Sequence, residues 1–575
     1  MDRSIIRRQP APAPNLPDSL HPILRRVYAA RAVTEERELD YSLQAMLPFH
    51  ALGGIADAAA LLADALARNR RILIVADYDV DGATGCALAI RGLRQMGAGE
   101  IDYIVPSRFE FGYGLTPELV EVATERAPDL IVTVDNGISS LDGVRLAREK
   151  GMDVLITDHH LPGAQLPAAN VIVNPNLSGD PFPSKNLAGV GVMFYVLIAL
   201  RTRLRELDWF NGSGLSEPNL ADLLDLVALG TVADVVALDR NNRILVSQGL
   251  ARIRAGRCVP GIRALLRQAN RPLATLSATD LGFVVGPRLN AAGRLSDMSR
   301  GIECLLSDDE DQVMEMALTL DGLNRERRNI QQEMHELASV ELIEQQDNGG
   351  MPAGLCLYHE SWHQGVVGIV ASRIKEQWHR PVIAFARDSD GRLKGSARSI
   401  SGVHIRDVLE LISAGHPGLI IKFGGHAMAA GLTVAEQGFE RFRHLFEQEV
   451  FRVLGTNDPV ATILSDGELS EGDLGIPLAE EITRGGPWGQ GFPEPMFDGV
   501  FELAERRIVG ESHLKMRLRY PLVGSEFDAI AFNTVDSGWP QQVEQVRLAY
   551  RLDINDFQGR RRLQFIVEHV EPLAS

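Results

Sequence analysis

Short runs of β-branched and aliphatic residues recur in this chain with room for one helix between each pair, and that rhythm restricts the fold more than any other feature. ILIVA (72–76), IDYIV (101–105), LIVTV (130–134) and DVLIT (153–157) are continuous apolar segments of strand length, the pattern of strands buried on both faces. Between them lie ATGCALAIRGLRQMG, TPELVEVATERA and SLDGVRLAREKG, with apolar residues at helical spacing. Strand, helix and strand in succession predict right-handed crossovers and a parallel sheet. The carboxyl ends of such strands open on one edge, where ligands bind.

Acidic residues and histidines follow these runs at that edge. Asp77, Asp79 and Asp81 come after ILIVA, Asp135 after LIVTV, Asp158-His159-His160 after VLIT, and Asp234 lies in GTVADVV. Each alone has an ordinary explanation: an Asp after a strand is commonly a helix N-cap, Asp-Gly marks a turn, and a single His is usually a satisfied loop residue. Capping does not call for them at successive strand ends of one sheet. Carboxylates gathered there repel one another unless divalent cations neutralise them, so the pattern predicts a two-metal site and attack on a phosphate ester. Carboxylate oxygens with an imidazole suit Mg²⁺ or Mn²⁺, whereas zinc draws more on Cys and His. Cys86, Cys258, Cys304 and Cys356 are far apart and form no CxxC pair, which suits a reducing compartment.

A chain of 575 residues should split into several compact units. The opening MDRSIIRRQPAPAPNLPDSL has no apolar core like that of a signal peptide, and no stretch reaches the roughly 18 apolar residues of a membrane span. A soluble cytoplasmic protein is therefore expected, its Ala-Pro alternation at 10–14 an extended or disordered arm. LADLLDLVALGTVADVVAL and RILVSQGLARIRAG read as helices that complete the first domain and deliver Asp234. From Asp309 to about Gln346 there is no Pro, and apolar residues recur every three or four positions among many charges, the mark of a long exposed helix. A second α/β unit follows at about 353–450, with GLCLYH, PVIAFARD and LKGSARSI as strands and VVGIVASRIKEQW as a helix. The final 460–575 alternates short runs with turn residues, which suggests a small all-β barrel. The expected boundaries are an N-terminal arm and helices at 1–50, a catalytic domain at 51–305, a connecting helix at 306–350, an α/β domain at 351–452 and a barrel at 453–575.

DYDVDGATG, VDNGIS, TDHH and the Asp of GTVADVV resemble, in that order, the motifs of the DHH phosphoesterases, and SARS (396–399) with GGHAMAAG (424–431) resembles the DHHA1 domain that follows in many members. With FGYGLT (111–116), NLAGVGVMF (186–194), VGPRLNAAGRL (285–295) and SWHQGVVGIVASR (361–373), the chain from about residue 70 onward is similar to the RecJ family of bacterial single-strand-specific 5′→3′ exonucleases. The pyrophosphatase-like and some other DHH members place a His four residues before the first Asp of their D-x-D pair, where this chain has Val75. That departure ranks Asp77 below Asp79 and Asp81 as a ligand.

The resemblance implies an α/β DHH domain, a connecting helix, a DHHA1 domain and an OB-fold. It implies hydrolysis of single-stranded DNA from a 5′ end to 5′-mononucleotides, in DNA repair and recombination. Two Mg²⁺ or Mn²⁺ ions would be held by Asp79, Asp81, Asp135, His159 and Asp234, with Asp77 as a further ligand. Asp81 would share in the catalysis, His160 would contact the scissile phosphate or the leaving oxygen, and Asp158 would orient the histidines. Arg108, Arg288, Asn290, Arg294, Ser396, Arg398, Gly424, Gly425 and His426 would bind the strand. The glycines would allow close backbone approach, with exposed N–H groups beside His426 and Arg398 for a phosphate. In the barrel, Arg517, Arg519, Tyr520, Phe532, Tyr550, Phe557, Arg561 and Arg562 are candidates for base stacking and phosphate contact, with Phe532 and Tyr550 assigned more readily to the core. A gap between the two α/β domains would admit one strand and exclude a duplex. A single-strand-binding protein and a RecQ-type helicase are the implied partners, and a self-sufficient chain favours a monomer.

The net charge of −18 at pH 7 does not exclude a nucleic-acid partner, because distant carboxylates are screened over roughly 8–10 Å. It predicts weak non-specific affinity that falls quickly with salt. Two other readings compete: degradation of very short RNAs or cyclic dinucleotides, whose enzymes usually lack both the joining helix and the β-rich tail, and a non-catalytic scaffold, whose metal ligands would be lost.

Overall fold

The computed structural model describes residues 3–573 except 14, 108–110, 456–458, 460, 511, 522–523, 533, 535–543 and 558. It contains two compact units, one of Ile5–Asp321 with Leu464–Ser575 and one built on Gly322–Ile463.

In the first unit β1 (Ile72–Ala76), β2 (Ile101–Ile104), β3 (Leu130–Val134), β4 (Asp153–Thr157) and β5 (Val171–Val173) form a parallel sheet in the order β2-β1-β3-β4-β5. The strands β1 and β3 are buried throughout, as their unbroken apolar runs demand. At the sheet edge β2 departs from that reading: Asp102 is exposed and only Ile104 is fully buried. The helices α1 (Val80–Gln95), α2 (Pro117–Thr124) and α3 (Leu141–Glu149) are the predicted crossovers. Thr116 caps α2 by accepting from the Leu119 amide, and Pro117 takes the first turn, where a missing N–H costs nothing. Leu119, Val120, Ala123, Val144 and Ala147 from α2 and α3 pack on Leu73, Ile131, Val154 and Ile156 of the sheet, each large side chain contributing about 1.5–3 kcal/mol on burial.

The helices α4 (Gly189–Glu206), α5 (Leu224–Ala233), α6 (Arg240–Arg254) and α7 (Gly286–Leu295) complete this part. The 40-residue α8 (Glu310–Gly349) begins in the first unit and continues in the second. No single helix among the described residues is long and apolar enough to cross a membrane.

The second unit contains β6 (Leu355–Tyr358), α9 (Val367–Trp378), β7 (Val382–Arg387), β8 (Arg392–Arg398), α10 (Ile405–Gly415), β9 (Ile420–Gly425), β10 (Ala429–Ala435) and α11 (Phe439–Leu454). Its sheet runs β9-β10-β8-β7-β6, and Phe385, Phe442 and Phe446 lie at the centre of its core.

In the first unit β11 (Phe497–Val509), β12 (His513–Arg519), β13 (Glu526–Ala531), β14 (Gln545–Phe557) and β15 (Arg560–Pro572) close a barrel in the order β11-β12-β13-β15-β14. Tyr550 is wholly buried and stacks on Phe565 at 4.5 Å, a core residue as expected. Phe532, also assigned to the core, is instead 50 % exposed. It follows the last residue of β13, beyond the inward alternation, and meets His513 edge-on. Arg517 and Arg519 each pair with Glu526, and Arg561 with Glu480, so these cations are partly neutralised within the protein. The Phe557 side chain lies outside the described residues.

Candidate active site

The carboxyl ends of β1, β3 and β4 deliver their acidic residues to one place. Among Asp77, Asp79 and Asp135, one ligand atom from each lies within 4.8 Å of the others, and the same holds for Asp81, His159 and Asp234 and for Asp135, His159 and His160. Nε2 of His159 is 3.0 Å from Oδ1 of Asp135, 3.5 Å from Asp234 and 3.9 Å from Asp81. Asp77 thus falls inside the cluster despite its lower rank in the sequence.

Asp135 has φ +63°, a left-handed conformation that Asp tolerates better than most residues. Its amide donates to the Thr157 carbonyl at 3.0 Å. A Cβ on Gly189 would stand 2.5 Å from Cβ of Asp135, so only glycine lets α4 begin so close to it. That approach aims the first amides of α4 at Asp81: Gly189 N–H donates to Oδ2 at 2.5 Å and Val190 N–H to Oδ1 at 2.9 Å. The helix end is a natural anion site. Asp79 also caps α1, accepting from the Gly82 amide at 3.1 Å, so capping and membership of the cluster coexist. Asp234 follows the last residue of α5.

Asp158 is fully buried. Its Oδ1 accepts from the His159 amide at 2.7 Å, the His160 amide at 3.1 Å and Nδ1 of His160 at 2.8 Å, while Oδ2 accepts from the Ile138 amide at 2.9 Å. Burial alone would raise its pKa, but the hydrogen bond and charge of His160 hold it below the ordinary value. The pairing more than offsets the desolvation of His160, whose pKa is raised. His159, with no such partner, is pushed down to about 4 by burial and by His160; it is a neutral imidazole, the form that ligates a metal.

Burial lifts the Asp135 and Asp234 carboxyls well above their ordinary range, helped by the neighbouring aspartates, and Asp81 is pushed up to about 7 by burial and by Asp79. Two like charges about 4 Å apart cost about 4 kcal/mol at an effective dielectric of 20, so protons or cations must occupy this cluster. Oδ1 of Asp135 and Nε2 of His159 favour a cation: both are buried, they lie 3.0 Å apart, and neither makes a hydrogen bond among the described residues. Two lone-pair atoms aimed at shared space fit a divalent cation. Binding Mn²⁺ at neutral pH should therefore release protons, and the affinity should rise as pH increases toward and through about 7. Calorimetry in buffers of different ionisation enthalpy checks this, and a proton count of zero contradicts it. The same raised pKa values should make the metal-free protein lose stability as pH climbs above the ordinary 3.8 toward 7, since the folded state holds more protons there than the unfolded state.

Residues that sequence reasoning missed complete the site. The Tyr113 hydroxyl donates to the Asp135 carbonyl at 3.2 Å and lies 3.0 Å from Nδ1 of His160; FGYGLT had drawn notice as a motif without any role for its tyrosine. Asn174 donates to the His160 carbonyl at 2.9 Å and Asn176 to the His159 carbonyl at 2.6 Å. The signal was NPN directly after the short VIV of β5.

The basic candidates fare differently. Arg108 lies outside the described residues. Arg288 is turned inward, paired with Asp321 at 2.8 Å and donating to the Val284 carbonyl at 2.7 Å, so its guanidinium is committed to holding α7 against α8. Asn290 and Arg294, four residues apart on α7, are half-buried. Between them Gly293 approaches the loop of the first aspartates, where an added Cβ would stand 2.2 Å from the Tyr78 carbonyl oxygen. In the second unit Ser396 accepts from Arg398 at 3.0 Å. GGHA forms the turn from β9 into β10, and the His426 amide, expected to be open to a phosphate, donates to the Ala429 carbonyl at 2.8 Å. Gly425, at φ +145°, packs its Cα against that turn, while Gly424 faces open space. The register places Gly424 opposite Gly431 and Gly431 opposite Ser396, a strip almost free of side chains.

Comparison with known proteins bears on what this arrangement is. The model of the DHH family, N-terminal domain, matches residues 71–231, the DHHA1 domain 352–451 and the RecJ OB domain 465–569. The single-stranded-DNA-specific exonuclease RecJ of Dickeya dadantii is 56 % identical over 572 residues, 99 % of each chain. The chain belongs to the RecJ family. The RecJ of Escherichia coli is 52 % identical over 570 residues, again 99 % of each chain. The crystal structure of RecJ in complex with Mn²⁺ from Thermus thermophilus superposes with a TM-score of 0.79 at 32 % identity, covering 97 % of this chain and 76 % of that one. The DHH match ends at residue 231, three short of Asp234, so this RecJ-family site takes one of its carboxylates from beyond the matched segment.

Proposed function

We propose that this RecJ-family protein is a metal-dependent 5′→3′ exonuclease that hydrolyses single-stranded DNA to 5′-mononucleotides, in DNA repair and recombination. The observation that carries the chemistry is the pair of Asp135 Oδ1 and His159 Nε2, without a hydrogen bond among the described residues, within a buried carboxylate cluster. Two ions, Mg²⁺ or Mn²⁺, would be held by Asp77, Asp79, Asp81, Asp135, His159 and Asp234. When bound, they supply Lewis acidity toward the phosphate and lower the pKa of a water.

The chain's own groups do the rest. Asp158 fixes the His160 ring through Nδ1, which leaves the partly exposed imidazole to contact the scissile phosphate or to serve the leaving oxygen. Tyr113 braces that ring and the Asp135 backbone from the other side. Asn290 and Arg294, with Arg108, bind phosphate on the first unit, and Arg288 acts by anchoring α7. On the second unit the bare strip of Ser396, Gly431 and Gly424, flanked by Arg398 and His426, admits a sugar–phosphate backbone at close range. The five-part division set out from the sequence, a monomeric state, a cytoplasmic location and supply of substrate by a single-strand-binding protein and a RecQ-type helicase belong to the same proposal.

A digestion time course on 5′-labelled and 3′-labelled single strands, with and without Mn²⁺, tests it. Mononucleotide should appear at once from the 5′ label and late from the 3′ label, only with metal. Equal digestion of a blunt duplex would remove the strand selectivity, and preference for a dinucleotide over a long strand would favour the short-RNA reading.

A further inference from the structure

Within the second unit, α8 carries a second concentration of positive charge that the nuclease site does not use. The buried positions of α8 are apolar at Leu320, Met334, Ala338 and Leu342, but between the first two the seam turns polar. Asn324 and Gln331 are 1 % and 3 % exposed, with Arg327 between them. Arg373 of α9 faces the same stretch. With its amide oxygen turned toward Arg373, Gln331 accepts from Nε at 2.6 Å and Nη1 at 2.8 Å. In the opposite orientation that oxygen accepts from Arg327 at 3.3 Å. One oxygen is therefore contested by two guanidiniums, and among the described residues no carboxylate pairs with either.

The remaining polar atoms point the same way. Nε of Arg327 and Nδ2 of Asn324 are buried donors with no hydrogen-bond partner among the described residues, while Nη2 of Arg327 donates to Oδ1 of Asn324 at 3.0 Å; an unmet buried donor costs about 1–3 kcal/mol. The charges acting on Arg327 are those of Arg328 and Arg373, both cations; burial first, then these two, push its guanidinium down to about 10. A patch that is half-buried, cationic and short of acceptors suits an anion with several oxygens.

We propose that Arg327 and Arg373 form a phosphate subsite for single-stranded DNA, separate from Ser396 and Arg398. Its identity as a DNA site rests on the nuclease reading. A phosphodiester would bridge the two guanidiniums and relieve Gln331 of serving both, as paired arginines do with phosphate. A Cβ on Gly368 would touch Ser396 Oγ at 2.9 Å and Arg398 Nη2 at 3.1 Å, whereas Arg373, five residues further along, lies about 7.5 Å up the axis and on another side of α9, so the two phosphate positions are distinct.

The test measures binding of a 5′-phosphorylated oligothymidylate to the full-length protein in EDTA across a salt series, alongside thermal unfolding with and without inorganic phosphate. Arg373→Gln and Arg327→Gln should each weaken strand binding about tenfold and reduce the slope of log affinity against log salt by about 1. Arg373→Lys should recover the slope but not all of the affinity. Inorganic phosphate should raise the unfolding temperature of the wild type more than that of either Gln variant. Arg373 is exposed, so its variants keep the experiment decisive if Arg327→Gln does not fold. Folded Arg373 variants with the wild-type salt slope and phosphate response would overturn the subsite. If the wild type binds no strand at all, the nuclease reading fails, and the phosphate response alone decides whether the guanidiniums hold an anion.

Discussion

Asp135→Asn should leave a folded protein that has lost at least about 10³-fold in the rate of nucleotide release with Mn²⁺, the equivalent of about 4 kcal/mol of transition-state stabilisation. Asn accepts the left-handed backbone at this position as readily as Asp, so the turn and the amide bond to Thr157 survive the change. What disappears is the charge on the oxygen 3.0 Å from His159. The variant also separates chemistry from folding: removing one carboxylate from a self-repelling cluster should leave the unfolding temperature in EDTA equal to that of the wild type or higher. A variant that digests strands within tenfold of the wild type places the metals elsewhere. One that is inactive because it has unfolded shows itself in the same melt.

Asp158→Asn acts through a different cause. The wild-type carboxylate accepts four hydrogens, three on Oδ1 and one on Oδ2. An amide of the same shape has one acceptor oxygen. Whichever way it turns, an NH₂ group faces either the Ile138 amide or the His159–His160 amides, donor against donor. The buried mismatch should cost about 1–3 kcal/mol of stability, and misorientation of the histidines should cost a further 10–100-fold in activity or metal affinity. The measurable contrast with Asp135→Asn lies in EDTA, where the Asp158 variant should melt earlier than the wild type. A melt at the wild-type temperature with full activity would mean that the histidines are held by Asn174 and Asn176 alone.

The strands, crossovers, long helix and barrel were legible because each is written locally. ILIVA and LIVTV cannot be satisfied except by burial on both faces, and the absence of proline through α8 leaves a helix uninterrupted. The ligand cluster was legible for a related reason: a parallel sheet brings strand ends together whatever the loops do. What the sequence concealed depends on partners remote along the chain. Arg288 looked like a phosphate ligand because nothing nearby marks Asp321, 33 positions later, as its counter-ion. The GGHA amides looked available because a glycine pair does not show whether the amides beside it are used within a hairpin, as the His426 amide is by the Ala429 carbonyl. Asp102 was assigned to a buried strand because apolar runs do not reveal which strand is outermost. Phe532 was placed inside because the barrel's alternation was carried past the end of its strand.

The candidate ligands run from Asp77 at one end to Asp234 at the other, so the full set is drawn from three strand ends and the end of a helix. A partly assembled domain, or one with a strand paired out of register, holds no pocket in which the ions can settle. Manganese or magnesium then rewards only the finished architecture by mass action, acting as an inspector of assembly. For an enzyme whose misdirected action would erode genetic material, a site that is complete only when the helix carrying Asp234 has docked is a safeguard inherent in the topology.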